Sequence, residues 1–123
     1  MIISVTLKLQ KGDSKKIQDK IKKVSTERSQ KQDIGTKSCG CIFKNVAWSK
    51  SDINKEGLLQ RSPELEQFKD KQNIPASFLI DSAGLKGKCI GKICISSKHA
   101  NFFVNEGGAT AKEVAATIKF AKD

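Results

Sequence analysis

Tyrosine is absent from this chain, and tryptophan occurs once. Recognition of single-stranded nucleic acid leans on aromatic faces against which bases stack, and no aromatic-rich strand is present to offer them. Helix-turn-helix and zinc-finger spacings are missing as well. No apolar run approaches the roughly 20 residues that cross a bilayer. The apolar opening, Met1 to Leu9, alternates instead of running on, and it lacks the basic start and small-residue cleavage site of a secretory signal. A cytoplasmic location is therefore expected. Internal repeats and low-complexity tracts are absent too, which leaves 123 residues for one ordinary domain.

Acidic side chains are few, 13 against 23 basic ones, for a formal net charge of +10. Such an excess steers a protein toward an anion: nucleic acid, an acidic membrane surface or a phosphorylated small molecule. Lysine carries most of it, which suits a solvated surface equally well. A stand-alone basic module that holds RNA or another polyanion is thus the alternative to any enzymatic reading.

Four cysteines are present. In a cytoplasmic chain they are expected to be reduced, so no disulfide framework is anticipated. Cys39-x-Cys41 and Cys89-x4-Cys94 invite a four-thiolate zinc site. The first pair is too close for the usual spacing of two to four intervening residues. If Cys89 to Ile95 is one strand, Cys89 and Cys94 also point to opposite faces. No metal ligand is assigned.

Residues 2–9 alternate Ile3, Val5, Leu7 and Leu9 with polar positions, the period of a half-buried strand. Gly12-Asp13-Ser14 breaks that pattern and offers an N-cap. From Lys15 to Arg28, Ile17, Ile21 and Val24 recur at helical spacing, predicting an amphipathic helix packed on a sheet with its lysines in water. Residues 29–37 read as loop. Ser51-Asp52 and Ser62-Pro63 each look like a helix start. Pro75 opens a third helix with Phe78, Leu79 and Ala83 on its buried side, closed by Gly84. Two strands, 92–95 and 101–105, flank a turn at "SSKHA". Thr110 and Glu113 form a capping box for the last helix, whose apolar stripe is Val114, Ile118 and Ala121. The sum is an α+β domain, a small mixed sheet with packed helices.

Three stretches carry a resemblance: "SCGCIFKN" at 38–45, "LIDSAGLKGKCIG" at 79–91 and "SKHANFFVNEGGATAKEV" at 97–114. Together, and in this order, they resemble the C-terminal, substrate-binding domain of the UDP-N-acetylenolpyruvoylglucosamine reductase family, also called UDP-N-acetylmuramate dehydrogenases. "IISVTLKL" at 2–9 resembles the strand that closes the family's preceding flavin-binding domain. The resemblance implies an oxidoreductase of peptidoglycan biosynthesis that uses FAD and NADPH and reduces the enolpyruvyl group of a UDP-sugar.

It also implies site residues. The family's proton-donating serine, in a "GS-x-FKN" pattern, falls on Cys41. A thiol's unperturbed pKa near ~8.5 is far below that of an aliphatic hydroxyl, so cysteine can serve as the acid there; the competing reading is a small cysteine that packs. Cys39, in a variable small-residue place, is expected only to pack. Asn45 falls on a substrate-contacting asparagine, although the family's following proline is here Val46. His99 falls where the family places a polar side chain near the substrate's diphosphate, with Lys98, Lys31 and Lys37 as further positive charge. Asn101 and Asn105 are expected to fix strand ends.

Much of the family pattern lies outside these residues. The FAD-binding domains would precede Met1, and the second catalytic residue, a glutamate in an "LExEV" stretch, would follow Asp123. The chain therefore reads as a single C-terminal domain over 1–123, with 1–9 as the closing strand of an absent domain. It binds no cofactor itself and is inactive alone, its partners being a UDP-sugar and the missing domains, not a membrane or nucleic acid. Residues 46–76 form an insertion relative to the compact family pattern.

Overall fold

Local signals set most of the elements seen in the computed structural model, which describes residues 2–123. The first helix, α1 (Ser14–Lys31), begins where the Asp13 carboxylate accepts the Lys16 N–H at 2.9 Å, and ends with the Gln32 N–H on the Arg28 carbonyl. Its apolar stripe, however, packs on nothing among the described residues. Ile17, Ile21 and Val24 are 46–62% exposed and, with Ile34, line an open groove of about 440 Å³ on the helix flank.

Residues 2–12 have no regular structure, and Ile3, Val5, Leu7 and Leu9 stand in solvent. This corrects the strand expected at 2–9, whose first residue in the 1–9 assignment, Met1, lies outside the described residues. Alternation specifies which side of a strand is apolar, but a strand also needs a neighbour for its backbone hydrogen bonds. None of the other described residues supplies one.

The body of the fold has two small cores. A three-stranded antiparallel sheet runs β3 (Cys89–Ile90), β4 (Ile93–Ile95), β5 (Phe103–Asn105), with Cys89 opposite Cys94 and Ile95 opposite Phe103. Ile93, Ile95 and Phe103 point inward and meet Ile80, Ala100 and the stripe Val114, Ile118, Ala121 of the last helix, α4 (Ala111–Lys122). Each such side chain contributes about 1.5–3 kcal/mol by leaving water. The Thr110–Glu113 capping box opens α4 as expected.

The second core closes residues 46–74. β1 (Val46–Ala47) pairs antiparallel with β2 (Asn73–Ile74), and between them α2 (Lys55–Arg61) and a 3-10 turn (Pro63–Phe68) fold over the pair. Leu65, Phe68 and Ile74 are buried there among Val46, Trp48, Leu58, Leu59, Phe78 and Leu79. The start expected at Ser51-Asp52 moves to Asn54, whose Oδ1 accepts the Gly57 N–H at 2.9 Å; residues 50–53 are spent on a turn. Helix α3 (Ala76–Ser82) lies between the cores, giving Ile80 to one and Phe78 and Leu79 to the other. Ala83, expected inside, is exposed because α3 ends before it and Gly84 turns the chain at φ +69°.

Two expectations about cysteine also change. Cys89 to Ile95 is not one strand but a hairpin turned at Gly91 (φ +59°) and Lys92, so Cys89 and Cys94 face each other and form a disulfide. Cys39 does not pack; it is exposed and free, like Cys41.

Candidate functional site

The stretch 37–43 runs beside β5 on the edge opposite β4. The Asn105 N–H donates to the Lys37 carbonyl and the Ile42 N–H to the Asn101 carbonyl, each at 2.9 Å, and Cys41 bridges Phe102 in antiparallel fashion. Asn101 fastens the stretch further. Its side chain, on a residue only 2% exposed, accepts the Phe43 N–H at 2.9 Å and donates to the Phe43 carbonyl at 2.8 Å. Gly40, at φ +88°, bends the chain just before Cys41, a conformation that favours glycine. The outcome is an exposed thiol on a backbone held at both ends.

Next to it, the turn 96–100 is set by one hydroxyl. Ser96 Oγ accepts the N–H groups of Lys98 and His99 at 3.0 and 2.9 Å and donates to the Asp33 carboxylate. The His99 carbonyl accepts the Phe102 N–H at 2.8 Å, and the two rings lie 4.5 Å apart. His99 Nδ1 is buried with no hydrogen-bond partner among the described residues, which leaves a polar atom for a ligand or water to satisfy.

A groove of about 290 Å³ opens between this turn and α3. Lys98, His99 and Ala100 form one wall; Pro75, Ser77, Phe78 and Asp81 form the other, with Lys86 alongside. Lys86 pairs with Asp81 at 2.7 Å, so the two lysines and one carboxylate leave a single net positive charge. Asn45 sits at the rim, its Oδ1 accepting the Ala76 N–H at 3.1 Å and so capping the first turn of α3 from a distant part of the chain.

The expected site residues thus divide. His99 and Lys98 line the groove, Asn45 anchors its rim, and Cys41 lies outside its lining, one residue pair from His99 through Phe102. Lys31 and Lys37 are exposed and outside it. Asn101 and Asn105 serve the backbone, Asn105 Oδ1 accepting from Gly107 and Ala109. Sequence reasoning missed Ser77, Asp81 and Lys86, because the groove forms between segments that no local periodicity connects. It also missed Asp33, which pins the turn from a polar loop.

Comparison with known proteins gives this site its context. The family model of the UDP-N-acetylenolpyruvoylglucosamine reductase C-terminal domain matches residues 30–123. A solved UDP-N-acetylenolpyruvylglucosamine reductase from Thermus caldophilus is similar to 94% of this chain with TM-score 0.64 and 30% identity, over 33% of its own length. The reductases of Alkalilimnicola ehrlichii and Clostridium tetani are 31% identical over 98% and 100% of this chain, each over 32% of its own length. The α+β fold is therefore that of the family's C-terminal domain. The chain belongs to the UDP-N-acetylenolpyruvoylglucosamine reductase family, in its C-terminal domain, and spans about a third of the length of the relatives it matches.

The glycine pair that leads into the last helix is not built to hold the pyrophosphate of a flavin or nicotinamide dinucleotide. A pyrophosphate is commonly held by glycines leading into a helix N-terminus. Here Gly107-Gly108 lead into α4, but the Glu113 carboxylate already occupies its first turn, accepting the Thr110 N–H at 2.6 Å and the Lys92 N–H at 3.0 Å. A negative charge fills the place a phosphate would take.

Proposed function

We propose that this chain is the substrate-binding part of a reductase that converts UDP-N-acetylenolpyruvoylglucosamine to UDP-N-acetylmuramate in cytoplasmic cell-wall synthesis, with FAD and NADPH held elsewhere in a longer polypeptide. The groove takes the sugar nucleotide: its diphosphate lies by Lys98, Lys86 and His99, whose unpartnered Nδ1 gains a hydrogen bond, and Asn45 holds the rim. Once hydride has been added to the terminal vinyl carbon, the Cys41 thiol gives its proton to the carbanion left at the carbon beside the carboxylate and remains as thiolate. A thiol is suited to that step, being protonated at neutral pH yet a far better acid than a hydroxyl.

The observation that carries this reading is the exposed, free Cys41 on a stretch fastened to β5, beside the His99–Phe102 pair. Residues 2–9 and the stripe of α1 belong, in the same reading, to the preceding domain. They are apolar and uncovered, and α1 begins before residue 30, where the match to the C-terminal domain model starts.

Titration of the chain with UDP-N-acetylglucosamine, followed by amide chemical shifts, tests the site. Saturable shifts at Cys41, Asn45, Ser77 and His99 are expected. Shifts confined to the lysines of α1 would mark a non-specific polyanion surface and remove the proposal.

A further inference from the structure

Residues 46–74 leave the rest of the fold at Asn45, which accepts the Ala76 N–H, and rejoin it at Pro75, which lines the groove. The excursion could have closed on itself through the β1–β2 pair. It does not: its core is completed by Phe78 and Leu79 of α3. Phe78 is the shared piece. On one side it lines the groove, and on the other its ring meets Phe68 edge-on, centroids 4.7 Å apart and planes at 68°.

Phe68 in turn is held from several directions. Its carbonyl accepts the Trp48 Nε1–H at 2.9 Å, the Lys71 ammonium lies 5.1 Å from its ring centre, and the residue is 6% exposed. A side chain so fixed transmits its position to whatever it touches, because packed interiors do not deform smoothly. The opposite wall is fixed independently by the Asp33–Ser96–His99 chain of hydrogen bonds.

We propose that the 46–74 excursion sets the width of the groove, with Phe68 as a positioning residue that presses α3 and Phe78 toward the His99 turn; this rests on the reading of that groove as the sugar-nucleotide site. Residues remote from the ligand thereby decide how closely the Phe78 and His99 walls approach it. No member of the excursion need touch the ligand, and the substitution that matters lies one ring behind the groove.

The test is affinity of the 123-residue chain for UDP-N-acetylglucosamine in wild type, Phe68→Leu and Phe68→Ala. Affinity should fall about two- to three-fold with leucine and about ten-fold with alanine, the range in which misplacing a binding wall acts. The amides of Ile93, Ile95 and Thr117, in the other core, should keep their wild-type shifts, while those of Ser77, Phe78 and His99 move before ligand is added. Lower thermal stability with unchanged affinity of the folded variants is what a purely structural Phe68 would give, and it overturns the inference alone. If the alanine chain does not fold, the leucine chain decides, equal affinity to wild type again overturning it. Absence of binding by wild type overturns the groove reading together with the inference.

Discussion

At the scale of single residues, two side chains separate chemistry from architecture on one stretch. Cys41 is exposed and free, and Asn101 behind it is buried and bonded to both backbone groups of Phe43. On the function proposed above, Cys41→Ala in a reductase that contains this chain is expected to slow sugar turnover by about 10²–10⁴-fold, the usual loss of a general acid, with sugar-nucleotide affinity unchanged. Steady-state kinetics with a parallel binding titration checks this. Asn101→Ala acts differently, because it strands the Phe43 N–H and carbonyl. Each of the two orphaned groups costs about 1–3 kcal/mol, so urea unfolding should lose roughly 2–6 kcal/mol. Hydrogen exchange at the Phe43 amide should rise sharply. Cys41, Asn45 and His99 were singled out from the quoted stretches, and of these His99 lines the groove, whereas Asp33, Ser77 and Lys86 gave no signal. Their roles depend on which segments meet in space, and no spacing along the chain encodes that.

Among the elements, those with a local cause were the readable ones. The cap and stripe of α1, the proline-led 3-10 turn and the capping box of α4 each follow from residues within a turn of one another. The β3–β4 hairpin was missed although it carries a signal, a two-residue Gly91-Lys92 loop between Ile90 and Ile93 of the kind that favours tight hairpins. That glycine has a second reason to be there: a Cβ on Gly91 would collide with the Glu113 carboxylate. Glu113 consequently ties hairpin to helix and has a pH signature. The Thr110 N–H, then the Thr110 hydroxyl, then the Lys92 N–H hold its carboxyl below the ordinary value of 4.5. A depressed carboxyl stabilises the fold above its unfolded pKa, and that stabilisation is lost as pH falls through the folded one. Melting temperature should therefore drop on acidification below about pH 4.5. Glu113→Gln should start lower at neutral pH and show a shallower decline, as thermal scans between neutrality and pH 3 would record.

For the whole molecule, the uneven distribution of apolar surface is the main feature. From residue 35 onward apolar side chains gather into two cores, while Ile3, Val5, Leu7, Leu9 and the α1 stripe stay uncovered. The sequence pattern expected 2–9 to pair as a strand and α1 to pack on a sheet; among the described residues neither apolar set is covered. A chain beginning at Gln32, which keeps Asp33 and its bond to Ser96, should accordingly melt within a few degrees of the longer one and bind less of a hydrophobic dye. Calorimetry and dye fluorescence check both outcomes; a large loss of stability would mean that α1 supports the body after all.

Helix α3 has a last consequence. Seven residues long, it is the one helix or strand among the described residues that lends side chains to both clusters. Too short to persist by itself, it comes apart whenever either neighbour loosens, and its departure opens the other. The two halves of so small a body should thus share one fate: denaturation is expected to follow a single sigmoid, with no half-folded species in which one lobe survives its twin.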